Sequence, residues 1–244
     1  QDKSFGLQNG WYEDPSNWKS FNDFFARRLK SPEVRPIAAP ELPHVVASPA
    51  DSKPQGVWKI DRQSNIVSGV TLKSKTFRSI HVLIGEDSPY KEAFAGGTLT
   101  HTFLDVNDYH RYHFPVGGLI KEVRVIPGDD AVGGIITWDS KFKKYGLESK
   151  APGWQNIETR GCVILETDAY GLVALLPIGM SQVSSVNFET DVKAGRRVKK
   201  GESLGYFLFG GSDFVMLFQS HVGFTLTPDA GEHILMGEEY GRLH

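Results

Sequence analysis

The stretch Leu204-Gly-Tyr-Phe-Leu-Phe-Gly-Gly-Ser-Asp-Phe-Val-Met-Leu-Phe218 places an apolar run on each side of Gly210-Gly211-Ser212-Asp213. Each run has the length and the aromatic content of a strand with both faces covered. Gly-Gly-Ser-Asp is good turn chemistry, so the simplest reading is a β-hairpin. A turn enclosed by such flanks is itself largely buried, and a buried turn needs a reason.

Outward from this point the chain reads as strand and turn. Leu99–Leu104, Leu119–Ile126, Val163–Glu166, Leu172–Leu176 and Phe214–Phe218 are the clearest strands, punctuated by Pro-Gly, Gly-Gly and Lys-Gly turns. One helix is expected over Ser20–Leu29, with Ser20 as N-cap, Asp23 in the first turn, arginines in the last, and Phe21, Phe24, Phe25 and Leu29 on one face. Pro32 and Pro36 stop it. A second, short helix is expected over Ser88–Ala95, ending at Gly96-Gly97. The lysine-rich stretch Asp139–Asn156 reads as a surface loop, the first place to look for disorder. Pro115–Asp129 and Asp191–Glu202 share a turn-strand-turn rhythm similar to the half-motifs of biotinyl- and lipoyl-type domains. The expected fold is therefore mainly β (β-rich α+β): one compact sandwich or barrel-sandwich domain over residues 1–244, with a short N-terminal helical segment.

Composition narrows the function classes. The 244 residues are 40% hydrophobic and 23% charged, which is ordinary for a globular chain with a sizeable core. A net charge of −2 gives no electrostatic reason to expect nucleic acid. A single cysteine, Cys162, excludes an internal disulfide and cysteine-based zinc sites. No apolar run has bilayer-spanning length and no signal-peptide pattern opens the chain. Gln1 is an unusual first residue, which suggests processing or a trimmed start and leaves room for an upstream anchor. As read, the chain is soluble, cytoplasmic or peripheral to a membrane.

Two further segments are rich in chemistry-bearing side chains. Asp108-Tyr-His-Arg-Tyr-His-Phe-Pro115 holds His110 and His113, which on a strand point to opposite faces. Two lone histidines at a strand end are most often half-buried packing groups. No third ligand at a matching spacing supports a metal. In Ala47-Ser-Pro-Ala-Asp-Ser52, Asp51 reads as a turn aspartate, or as a carboxylate that orients a histidine brought from elsewhere.

Taken together and in this order, the segments resemble the phosphatidylserine decarboxylases. Asp-Tyr-His-Arg-x-His-x-Pro from Asp108, followed by Ile126-Pro-Gly128, is similar to that family's central signature. Phe21-Asn-x-Phe-Phe-x-Arg-x-Leu29 with Arg35-Pro-Ile37 resembles its entry segment, and Pro49-Ala-Asp51 its Pro-Ala-Asp-Gly. Val198-x-Lys-Gly-Glu-x-Leu-Gly-x-Phe207 leads into the processing site as it does there. The departures are Gly210-Gly-Ser-Asp213 for the usual Leu-Gly-Ser-Thr, Ser52 for glycine, and Pro177-Ile-Gly-Met180. Phe209-Gly-Gly-Ser212 together with Ile178-Gly-Met180 resembles a side branch that includes fungal decarboxylases of free aromatic amino acids.

The resemblance implies a pyruvoyl cofactor made from Ser212, with neither metal nor pyridoxal phosphate. Ser212 Oγ attacks the carbonyl of Gly211, and the chain parts into 1–211 and a pyruvoyl chain 212–244, expected to stay together because strands on either side of the cut share one sheet. Glycine at 211 leaves that carbonyl uncrowded. The resemblance assigns His113 as the base for self-cleavage, Asp51 as the group orienting His113, and His110 as the acid of decarboxylation. Such a carbonyl is an electron sink for the carbanion left when an amino acid loses carbon dioxide. The implied substrate is phosphatidylserine, with a free tryptophan-like amino acid as the alternative. The partners compatible with this are a peripheral membrane contact and a second copy of the chain. Competing readings are a Ser-His-Asp hydrolase without the Gly-x-Ser-x-Gly elbow, a carrier module presenting Lys199 or Lys200, and an uncleaved relative in which Asp213 impairs processing.

Overall fold

The computed structural model describes residues 3–72, 75–128, 135–139, 144–148, 152–180, 185–209 and 212–244. Gly210 and Gly211 lie outside the described residues, so the expected cleavage-site carbonyl is not placed.

The run Ser212–Phe218 is a strand buried at every position, third from one edge of a seven-stranded antiparallel sheet. The sheet order is Arg197–Val198, Gly118–Ile126, Thr159–Glu166, Leu172–Gly179, Ser212–Phe218, Thr98–Leu104, Lys53–Lys59. Ser212 stands opposite Gly179 on one side and Leu104 on the other. Successive side chains alternate faces. Phe214, Met216 and Phe218 pack with Leu104, Tyr112 and Phe207 in one core. Val215 and Leu217 pack with Trp154, Ile80 and Leu83 in the other. Two covered faces explain why this strand is written without polar alternation.

The two apolar runs around Gly210–Gly211 belong to different sheets. Ser203–Phe207 pairs with Val186–Phe188 and Arg111–His113 in a separate three-stranded sheet. The hairpin reading is thus corrected: the strands next to the cut in sequence lie in different sheets, while strands from before and after it share the seven-stranded one, as expected. The 212–244 portion is held because the Ser212 strand lies between two strands that precede it in the chain. At about 1.5–3 kcal/mol per large buried side chain, Phe214–Phe218 contribute on the order of 10 kcal/mol gross. A further sheet of Val45–Ala47, Glu239–Leu243 and Phe224–Leu226 ties the C-terminal segment to the start of the chain.

The mainly β expectation holds, and the five expected strands all form. The two segments with similar rhythm meet as neighbours, Arg197 opposite Leu119 and Val198 opposite Gly118. The expected first helix spans only Phe21–Phe25, opened by a capping box between Ser20 and Asp23. It stops early because Arg27 turns inward, donating through Nη2 to the carbonyls of Asn107 and Asp108 at 2.9 Å each. Ser88–Ala95 forms turns, and the second helix is Ile80–Ile84 instead, capped by Ser79 and packed by three buried residues. Asp139–Asn156 is not one loop. Lys144–Glu148 pairs with Ile135–Asp139, and Trp154–Ile157 is a buried 3-10 turn; residues 140–143 and 149–151 lie outside the described residues.

Candidate active site

Ser212 is the first residue of its strand and is fully buried. Its Oγ lies 3.0 Å from His110 Nδ1. The other ring nitrogen, Nε2, lies 2.9 Å from the Asp105 carbonyl. A carbonyl only accepts, so Nε2 carries the proton and Nδ1 is free to accept from the serine hydroxyl. The Phe25 ring stacks on the imidazole at 3.8 Å and 25°. Burial in this apolar setting pushes the His110 pKa down to about 3, against the opposing hydrogen bond to Asp105. His110 is therefore a neutral imidazole with its basic nitrogen on a serine hydroxyl.

His113 is held elsewhere. Its Nδ1 donates to the Gly201 carbonyl at 2.9 Å and its Nε2 meets the Tyr109 hydroxyl at 3.1 Å. Burial lowers its pKa to about 4. Asp51 is also buried, but its partners are Arg35, at 3.3 Å and 2.9 Å, and the Met236 N–H at 2.8 Å. Arg35 in turn lies over the Trp11 ring at 4.1 Å. The expected pairings are corrected accordingly: His110 faces Ser212 where His113 was expected, and Asp51 binds Arg35 where it was expected to bind His113. The physical reason is the strand geometry of Arg111–His113, which turns His110 and His113 toward different surroundings. Asp51 reaches His113 only through space, its charge opposing the effect of burial on the imidazole.

Asp213 occupies the other face of the sheet. Its carboxylate meets His101 Nδ1 at 3.0 Å and accepts from Gln155 Nε2 at 2.9 Å, with all three buried. It is thus paired away from Ser212, which weakens the reading that it impairs processing. Lys200 Nζ is bound by the carbonyls of Ala39 and Leu42 at 2.7 and 2.8 Å, which does not suit a carrier lysine. Asp105, Tyr109, Phe25, His101 and Gln155 were not assigned a part from sequence. Tyr109 and Phe25 stand inside the quoted motifs, whereas nothing local marks Asp105, His101 or Gln155. No cluster of three or more His, Cys, Asp or Glu suited to a metal occurs among the described residues.

Ser212 thus stands at a strand end, sealed from solvent, with a neutral imidazole on its hydroxyl. The family model for phosphatidylserine decarboxylase matches residues 21–242, and the chain belongs to that family. It is 34% identical over 208 residues to phosphatidylserine decarboxylase proenzyme 2 of Oryza sativa subsp. japonica, covering 85% of this chain and 30% of that protein. It is 29% identical over 239 residues to decarboxylase iboD of Amanita muscaria, covering 93% and 66%. It is 31% identical over 242 residues to the phosphatidylserine decarboxylase proenzyme of Fusobacterium nucleatum, covering 94% and 72%. The chain thus spans 30% and 66% of the lengths of the rice and Amanita relatives.

Proposed function

We propose that the chain is a pyruvoyl-dependent decarboxylase that cuts itself between Gly211 and Ser212 and acts on phosphatidylserine. The observation that carries this is the 3.0 Å contact between Ser212 Oγ and the unprotonated Nδ1 of His110. The relatives called proenzymes support self-processing.

As Ser212 Oγ attacks the Gly211 carbonyl carbon, His110 Nδ1 takes its proton. An imidazolium is poorly stabilised among Phe25 and Phe207, so the proton passes on to the leaving nitrogen of residue 212. The C–N bond breaks as an ester forms. Loss of the residue 212 α-proton then breaks Cβ–Oγ and frees Gly211 as a carboxylate. The dehydroalanine left behind takes up water and releases ammonia, leaving a keto group on residue 212. That group supplies the electron sink for decarboxylation. His110, already hydrogen-bonded to residue 212, is the proton carrier we assign to the substrate carbanion. We assign the base to His110 in place of His113. His113 and Asp51 have supporting parts, fixing Tyr109, Gly201 and the Arg35 segment around it.

Phe21 and Phe209 are 57% and 48% exposed and touch edge-to-face at 5.0 Å, beside Phe25, which supports contact with a lipid surface. A second reading, a free aromatic amino acid as substrate, is favoured by the similarity to decarboxylase iboD and by Gly210, Asp213 and Met180. Intact mass and carbon dioxide release test both. Wild-type protein splits before residue 212 and the smaller chain lacks a free amine, while Ser212→Ala stays whole and inactive. Release from phosphatidylserine vesicles supports the first substrate, and release from tryptophan alone supports the second. A Ser212→Ala protein that still splits overturns the assignment.

A further inference from the structure

The Asp213 carboxylate is buried on the face of the sheet away from Ser212, among groups that take no part in the proposed cut. Its Oδ1 accepts from His101 Nδ1 at 3.0 Å and its Oδ2 from Gln155 Nε2 at 2.9 Å. A carboxylate only accepts, so His101 Nδ1 carries a proton. His101 stands opposite Val215 and so shares a face with Asp213, and the Trp58 ring stacks on its imidazole at 4.9 Å and 24°. Gln155 is fixed in turn, its Oε1 accepting from the Gly153 N–H at 2.7 Å. His101, Gln155 and Asp213 are all buried. Polar groups at this depth hold their geometry, because leaving one unpaired is costly.

Residue 212 depends on this network more after the cut than before it. The proposed conversion removes its peptide bond to Gly211, its N–H and the hydroxyl that meets His110. Residue 212 then ends a chain, and chain ends fray unless they are tied down. The peptide bond to Asp213 is the covalent tie that is left. Asp213 carries the first polar side chain of the new chain, and Phe214–Phe218 behind it are apolar. We propose that Asp213 is a positioning residue for turnover: held by His101 and Gln155, it pins the new chain end and so keeps the keto group of residue 212 in place. This rests on the cut before residue 212 and not on which histidine takes the serine proton. His101, Gln155 and Trp58 all precede the cut, so the pin also joins the two product chains. Its three polar side chains come from separate elements, Thr98–Leu104, Trp154–Ile157 and Ser212–Phe218.

The test uses protein that has split to completion. Carbon dioxide release from phosphatidylserine micelles and from tryptophan is expressed per keto group, counted by hydrazide labelling and intact mass. Asp213→Asn turns one acceptor oxygen into an amide that faces a donor. Its kcat per keto group is expected to fall about tenfold to a hundredfold, the range for a small misplacement of a reacting group, with KM within about threefold of wild type. His101→Asn keeps an N–H toward Asp213 and should stay within about threefold, while His101→Ala should fall with Asp213→Asn. Amide exchange followed by NMR reads the same effect without substrate. In cleaved Asp213→Asn the amides of residues 213 and 214 should exchange faster, while those of Met216–Phe218 stay protected. If Asp213→Asn fails to fold, Gln155→Ala decides by the same two measurements. Wild-type kcat per keto group in the folded variant overturns the proposal; where neither substrate is turned over, wild-type exchange at residues 213 and 214 does so. Loss of protection along the whole strand marks a structural role and also overturns it. A wild-type chain that never splits overturns the reading beneath it.

Discussion

Replacing His110 by glutamine removes the basic nitrogen beside Ser212 Oγ while keeping a side chain that can donate to the Asp105 carbonyl. In the described residues His110 is the hydrogen-bond partner of the Ser212 hydroxyl, and the two lie 3.0 Å apart. Loss of a positioned general base costs about 10²- to 10⁴-fold in rate. At about 1.4 kcal/mol per tenfold, that is about 3–5 kcal/mol on the barrier. His110→Ala removes the base and also opens space between Phe25 and Phe207, so it should lose stability as well as rate. His113→Gln keeps groups able to meet Tyr109 and the Gly201 carbonyl, and its self-cleavage should stay within about threefold of wild type. The assay is a time course of chain splitting, followed by gel and intact mass, with thermal melting of each variant as a folding control. If His110→Gln splits at the wild-type rate while folded His113→Gln does not split, the assignment of the base to His110 is wrong.

Two further outcomes follow from the buried titratable groups. His110 and His113 are held neutral by burial, at pKa values of about 3 and about 4, against an ordinary value near 6.5. Between about pH 6 and pH 4 the unfolded chain therefore binds up to two more protons than the folded one, so stability falls as pH falls. Urea midpoints should drop from pH 7 to pH 5, and less steeply in His110→Gln; an equal drop in both proteins counts against this source of acid lability. Asp213→Ala removes the carboxylate from a buried pair and should cost about 3–5 kcal/mol, a large part of a typical 5–15 kcal/mol total. Because Asp213 lies on the face away from Ser212, the folded fraction should still self-cleave; folded but uncleaved Asp213→Ala would show that the carboxylate acts in the reaction.

Much of the fold could be read from local pattern. Runs such as Leu172–Leu176 and Phe214–Phe218 are strands whatever they pair with, because branched and aromatic side chains suit an extended, buried backbone. The Ser20–Asp23 capping box was visible for the same reason: its partners are three residues apart. The helix length was not, since it depends on carbonyls at positions 107 and 108 drawing Arg27 inward. The Ser88–Ala95 expectation failed likewise, on turns set by packing around Phe94, which is buried in the second core.

The sequence by itself determined that Ser212 follows two glycines at the head of an apolar strand, and that His110, His113 and Asp51 accompany it in a family's order. Those are statements about residue types and spacing, which a linear chain carries. Only the tertiary structure decided which imidazole meets the serine. A strand sends neighbouring side chains to opposite faces, and what each face meets is fixed by segments far away in the chain. His110 meets Ser212, 102 residues on, while Asp51 is taken by Arg35 and Asp213 by His101.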